Sequence, residues 1–328
     1  MASTICFGHQ TALRILRTTG VQERPFFRSG SCALPDRMPG AYNLEQHIDL
    51  LKVSHPSLAI ERPAHILIAN AARRRPSSAC FVHVCSARLK GSSLHRLDRN
   101  TLVSAASLAF VHIADQEESA TSLLELAYEL CGSYQTPRTG VPSGYQVEPL
   151  TTTRALKGFV SLNPSLRGAR KAARIIRYVA DGSASPRETK KALVLGLPMM
   201  HGGYGLGIPC MNYEVKASPA AQALTGKRSF RCDLCWPEAK LDVEYQSKES
   251  HAGETKRILD SRRTNALVAM GWTVVCVTND ELDSLVATDA IAETIRRHLG
   301  KRSQIRVSGY HARKLKLRRQ LGLPVGYD

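Results

Sequence analysis

Acidic side chains are scarce in this sequence. Against 45 lysines and arginines stand only 28 aspartates and glutamates, giving a formal charge of +17 and a pI near 9.7. A chain this basic suits a polyanionic partner, most simply nucleic acid. Long hydrophobic runs are missing too. Leu102–Ala114, among the longest, is broken by Ser and His and is too short to cross a bilayer, so no membrane role is expected. The opening MASTICFGHQ lacks a basic stretch followed by a long apolar one, so no secretory signal is expected. The nine cysteines then read as reduced, mostly buried thiols of a cytoplasmic protein.

Several motifs are incomplete in ways that exclude their usual chemistry. Cys232-x-x-Cys235 has no second CxxC or HxxxH pair, and a structural zinc site needs four ligands. Two-residue periodicity would also send the two thiols to opposite faces of a strand. The Gly-rich HGGYGLG at 201–207 lacks the GK[ST] ending of a phosphate loop and reads as a flexible linker. No internal repeat is present.

What is present is a chain of 328 residues, with 43% hydrophobic and 22% charged residues. That is long enough for two domains with real cores. The front half offers a short helix at Thr11–Arg17 and buried segments at Leu58–Ile68 and Ala79–Cys85. A run at Thr101–Ile113 and a helix at Ser122–Leu130 follow. Gly132–Glu148 reads as a long loop. Helices are expected at Arg154–Leu162 and Ser165–Ala180, the second with a basic face of Arg167, Arg170, Lys171, Arg174 and Arg177. From Ser185, a plausible N-cap with Pro186 at the first helical position, the order is helix, three strands, helix, strand, helix. The strands fall at Cys210–Lys216, Phe230–Leu234 and Leu241–Gln246, then Trp272–Val277. The helices fall at Glu254–Met270 and Asp280–Leu299. This is an α/β (α+β) pattern with a mixed central sheet.

Chemistry concentrates in RCDLCWPEAKLDVEYQSKESH, residues 231–251. Asp233 stands on one strand, and Glu244 and Gln246 two apart on the next, with Asp242 beside them. Pairing of the two strands would bring Asp233 to Glu244. Such carboxylates hold hard divalent cations, Mg²⁺ or Mn²⁺, which polarise a phosphodiester and acidify a bound water. Glu188, three residues after Ser185, reads either as a metal-supporting carboxylate or as a capping-box residue bonded back to the Ser185 amide. His251 and Lys256 are secondary candidates for phosphate contact or acid–base help, and Lys248 or Lys256 are the cations near Gln246.

The run from Leu241 to Leu282 resembles bacterial Vsr-like endonuclease-domain proteins of the PD-(D/E)XK superfamily. The matching positions are Asp233, Glu244, Gln246, His251, Asp260, Arg263, Leu267 and Gly271–Trp272, with Ser185–Glu188 matching an S-P-x-E start. The resemblance covers roughly 185–285 and implies a restriction-endonuclease-like domain that cleaves DNA. The third motif position is commonly Lys, and here it is Gln246, which cannot act as a base. GHQTALRILR and EPLTTTRALKGFV give the front half a looser likeness to AbiEi-like proteins.

The expected organisation is therefore an AbiEi-like α+β region over 1–180, a nuclease-like domain over 181–300 and a basic tail over 301–328. That tail region is dense in charge: ten lysines and arginines and no acid lie between Arg296 and Arg319. Arg170, Lys171, Arg174, Arg262, Arg263, Arg313, Lys314 and Arg318 are the expected phosphate contacts. The expected activity is Mg²⁺- or Mn²⁺-dependent DNA hydrolysis, in repair or phage defence, with a homodimer compatible. The alternative is an inactive nuclease fold acting as a nucleic-acid-binding or antitoxin-like regulator.

Overall fold

Continuous apolar runs carry no period, so a buried strand and a buried helix look alike in them. The stretch Thr101–Ile113 holds both, a strand and then a helix divided at Ala105. The computed structural model of the chain describes residues 4–18, 27–28, 33–246, 254–302, 305 and 307–326. The chain divides into two compact units, Met1–Val179 and Ala180–Asp328.

The first unit runs β1 (Ile5–Phe7), α1 (His9–Thr18), β2 (Phe27–Arg28), α2 (Ala41–Ser54), β3 (Ala64–Ile68), β4 (Cys80–Val84), β5 (Leu94–Asp98) and β6 (Thr101–Ser104). It continues with α3 (Ala106–Gln116), α4 (Ala120–Leu130), β7 (Tyr134–Gln135), β8 (Gly144–Tyr145), α5 (Thr153–Leu162) and α6 (Ala169–Ile176). Its main sheet has the order β2-β5-β6-β1-β3-β4, with β1 parallel to β6 and β3 parallel to β4. Side-chain caps start the helices where the sequence provides them: Ser119 accepts from the Ser122 amide and Thr152 from the Ala155 amide. The Gly132–Glu148 loop contains the small β7–β8 pair.

The second unit comprises α7 (Pro186–Gly196), β9 (Cys210–Lys216), α8 (Pro219–Thr225), β10 (Ser229–Trp236), β11 (Leu241–Gln246), α9 (Glu254–Ala269), β12 (Thr273–Thr278), α10 (Asn279–Asp283), α11 (Leu285–His298) and α12 (Tyr310–Gln320). Its sheet has the order β12-β11-β10-β9. β10 runs antiparallel to β9 and β11, and β11 runs parallel to β12, so the sheet is mixed and the chain is of the α+β class. The helix expected over Asp280–Leu299 is two, because Ser284 leaves helical geometry and caps α11 through the Ala287 amide. Among the described residues no helix is long and apolar enough to cross a membrane.

Three local expectations are corrected. Cys232 and Cys235 do not face apart: both are fully buried in one cluster with Phe230, Ala266, Leu267 and Trp272. Strict alternation fails near Asp233, whose carboxylate, rather than another backbone group, takes the Tyr245 amide. The segment at 201–207 is packed, not a loose linker. A Cβ on Gly203 would lie 2.2 Å from the Leu197 carbonyl, and one on Gly202 would lie 2.3 Å from the Arg313 carbonyl. The stretch after residue 301 is likewise no free tail, since α12 folds onto its own unit.

Candidate active site

α7 starts the site. Ser185 Oγ accepts the Glu188 amide at 3.2 Å, and Pro186 fills the first helical position. Glu188 bonds back, but to the Ala184 amide at 3.0 Å and the Ser185 hydroxyl at 3.0 Å, not to the Ser185 amide. Its Oε2 also takes the Asn212 side-chain amide at 2.7 Å. With both oxygens accepting these bonds, Glu188 is a cap and an anchor for β9.

Three residues further along α7, on the same helix face, stands Lys191. Its side chain is fully buried and its Nζ makes no hydrogen bond. The Nζ lies 4.3 Å from the centre of the Tyr245 ring. Burial lowers its pKa to about 8, against the opposing pull of Asp233, Glu188, Glu244 and Asp242. A lysine sunk among four carboxylates is the residue that sequence reading missed. The available signal was helical spacing: Lys191 falls three after Glu188 and four before the buried Leu195.

β10 and β11 supply the acids. Asp233 Oδ2 accepts the Tyr245 amide at 2.8 Å. Its pKa is pushed up to about 6 by burial first, and then by Glu244, while Lys191 pulls it down. Glu244 Oε1 is held at 2.5 Å by Arg263 Nη2 from α9, which also donates to the Arg231 carbonyl. Asp242 is fully buried, and neither of its oxygens makes a hydrogen bond of ordinary geometry. Arg263 Nη2 stands 3.9 Å from its Oδ2. Burial, together with the neighbouring Glu244, drives the Asp242 carboxyl well above the usual carboxylate range.

Do these residues fit a divalent cation? Cys232 Sγ and oxygens of Asp242 and Glu244 all lie within 4.8 Å of one another. Burial, and then Asp242, raises the Cys232 thiol far above its ordinary value, so it presents S–H rather than a thiolate. The donors on offer are then carboxylate oxygens, the set preferred by hard cations. Asp242, buried with neither oxygen hydrogen-bonded, together with Glu244 fits such an ion, while Asp233 lies outside that close group.

The remaining expected residues separate. Gln246 ends β11 opposite Thr278; its side chain, His251 and the side chain of Lys256 lie outside the described residues. Arg262 is exposed on α9. Beside Arg263, a cleft of about 580 Å³ is lined by Lys227, Ser229, Arg231 and Asn212. In the first unit, α6 buries Ala172, Ile175 and Ile176 and exposes Arg170 and Arg174, whereas the Lys171 ammonium is tied to the Glu117 carbonyl. On α12, Arg313 is exposed and donates to the Met200 carbonyl.

Lys314 and Arg318 are corrections. Lys314 is buried and paired with Asp289 at 2.6 Å. Arg318, 1% exposed, donates to the carbonyls of Leu282, Asp283 and Pro324. Leu317 on the helix and Leu321 and Leu323 just past its end are buried as well, so these two cations point inward and are not available to phosphates.

No family model matches the chain, and no solved structure matches it. Two curated proteins from different strains of Mycobacterium tuberculosis, both described as uncharacterised, are 31% identical to it over 131 residues. The matched stretch is 40% of this chain and 43% of each relative, so the chain spans less than half the length of the curated relatives it matches.

Proposed function

We propose that the second unit is a metal-dependent phosphodiesterase acting on DNA, in which Lys191 supplies the cation missing at Gln246. The observation that carries this reading is Lys191 itself, fully buried and facing the combined field of Asp233, Glu188, Glu244 and Asp242. A charged lysine in so dry a place has to be balanced by carboxylates, and strongly perturbed groups of this kind concentrate where chemistry is done.

Asp242 and Glu244, the close carboxylate pair, would hold a Mg²⁺ or Mn²⁺ ion, with Asp233, which feels the Glu244 charge, as a further oxygen donor. Such an ion, when bound, supplies Lewis-acid polarisation of a phosphodiester and a more acidic water. Lys191 orients the attacking water or neutralises the charge that develops on phosphate. The Tyr245 ring and the Tyr245 amide hold Lys191 and Asp233 in place. Lys227, Arg231 and Arg263, against the one acid Glu214, give the adjacent cleft a net positive lining suited to a phosphate backbone.

One observation favours a second reading, an inactive nuclease-like fold that only binds nucleic acid: Glu244 is already paired with Arg263. Cleavage of supercoiled plasmid and of oligonucleotides in Mg²⁺ or Mn²⁺ separates the two. Metal-dependent cutting by the wild type, lost in Asp233→Ala, Glu244→Ala and Lys191→Met, supports the enzyme. Intact DNA binding with no metal-dependent cutting refutes it and leaves the binding module.

A further inference from the structure

A second cluster of chemistry-bearing side chains lies wholly in the first unit and plays no part in the site above. His9 opens α1, His65 stands on β3, His83 on β4 and His112 on α3. β3 and β4 run parallel with His65 opposite Phe81, so two-residue alternation sets His83 on the same sheet face as His65. The rings form one stack: centroids are 3.6 Å apart for His9 and His83, 5.0 Å for His65 and His83, and 5.4 Å for His9 and His112. His65 Nδ1 and His83 Nε2 are 2.8 Å apart.

We propose that His9, His65 and His83 bind a divalent transition-metal ion of the zinc class through three neutral imidazole nitrogens. One nitrogen from each ring lies within 4.8 Å of the other two. Nitrogens sharing a tetrahedral zinc at bond lengths of about 2.0–2.1 Å are about 3.3 Å apart, so ring rotations of under 2 Å close the site. Three imidazoles without a carboxylate select the borderline metals over Mg²⁺ or Ca²⁺. The second nitrogen of His83, Nδ1, is 3.2 Å from Gln116 Nε2; with that amide turned so that its oxygen accepts the Nδ1–H, Gln116 becomes the outer partner that orients a ligating ring.

Three independent observations point to a ligand. His112 is buried beside the trio with its Nδ1 lacking any hydrogen-bond partner; a buried polar atom left this way costs about 1–3 kcal/mol. His9 holds φ at 50°, a left-handed conformation uncommon for a residue with a side chain and one that clusters at functional sites. All four rings line a cavity of about 1050 Å³, so a bound ion would keep an open coordination position. Burial keeps the rings in the metal-ready neutral form: the pKa of His9 falls to about 2, and those of His83 and His112 to about 4. Arg74 and Arg75 stand around the same cavity, where Arg167 is paired with Asp115 at 3.5 Å, so the species suited to the open position is a small anion or an anionic substrate group.

The test uses the full chain, stripped with chelator and titrated with Zn²⁺ in a calorimeter, with bound zinc counted by mass spectrometry. It is run on the wild type, on Asp233→Asn/Glu244→Gln, and on His65→Gln/His83→Gln. The expected result is one saturable zinc in the first two and at least tenfold weaker binding in the third. Zinc K-edge absorption of the wild type provides a readout that does not depend on how the histidine variant folds. Nitrogen and oxygen neighbours without sulfur are expected. Absence of saturable zinc from Asp233→Asn/Glu244→Gln, or sulfur in the coordination shell, overturns the proposal.

Discussion

Replacing Lys191 with methionine should make the second unit more stable while abolishing its proposed activity. The argument runs on linkage. Lys191 has a pKa of about 8 in the folded chain against an ordinary 10.5. A lowered lysine pKa means that the folded state resists the proton. The associated stability is complete above pH 10.5, falls as the pH drops to about 8 and is fully lost below that. At about 1.4 kcal/mol per pH unit, the charged side chain costs the fold about 3 kcal/mol at neutral pH. Methionine has similar length and no charge, so it removes this cost and takes away the cation that faces Asp233. Asp233, with its pKa raised to about 6, is mostly protonated at pH 5.5 and needs no cation there. The variant should therefore gain about 2–3 kcal/mol at pH 5.5 and visibly less at pH 8, where Asp233 must ionise unpaired. Urea melts followed by tryptophan fluorescence suit the measurement, because the chain has only two tryptophans, Trp236 and Trp272, both in the second unit. Metal-dependent cleavage should fall at least 100-fold. A loss of more than 1 kcal/mol at pH 5.5 would show that Lys191 is a net stabilising ion partner, and the reasoning would fail.

Arg318→Met should destabilise the second unit by about 3 kcal/mol, since the buried Leu282 carbonyl and those of Asp283 and Pro324 lose their donor. The same fluorescence melts read it, and a change under 1 kcal/mol would contradict the packing described for α12. Arg263→Gln removes the cation clamped on Glu244 and should tighten Mn²⁺ binding at least tenfold by calorimetry; weaker binding would mean that Arg263 holds Glu244 in its ligating position. Arg170→Glu with Arg174→Glu, both exposed on α6, should lower DNA affinity and reduce the slope of log K against log salt by about 2. An unchanged slope would remove α6 from the interface.

Much of the fold was legible because its signals are local. Ser185–Pro186 marks the start of α7 through cap chemistry, and Cys210–Lys216 and Leu241–Gln246 are bounded by turn residues and read as strands at their observed limits. The helix Ala41–Ser54 escaped because it exposes Leu50 and Val53, which blurs its apolar stripe. The inward face of α12 escaped for the opposite reason. Its density of lysine and arginine reads as solvated charge, and only tertiary partners such as Asp289 and the Leu282 and Asp283 carbonyls reveal that Lys314 and Arg318 are buried. The histidine stack was invisible for a third reason: its members come from four elements spread over more than a hundred residues, with no spacing that a linear motif could register.

The same distinction bears on the third motif position. A lysine two residues past Glu244 on β11 is one way to set an ammonium group beside the carboxylates, and the chemistry asks only where the nitrogen sits and how readily it gives up a proton. Lys191 reaches the carboxylate field from α7 instead, and its burial brings its pKa to about 8. At pH 7 about one molecule in ten would then carry a neutral amine, and at pH 8 about half. On the proposed mechanism, cleavage that uses this amine to take a proton rises about fivefold from pH 7 to pH 8 and levels off above pH 9. Cleavage that uses only its charge does the reverse, falling as the pH passes 8. Initial rates measured across pH 6.5–9.5 under single-turnover conditions, with Lys191→Arg as the fixed-charge comparison, assign the role. A rising profile that Lys191→Arg abolishes makes Lys191 a base, a falling one that Lys191→Arg flattens makes it an electrostatic clamp, and a profile independent of Lys191 rules out both.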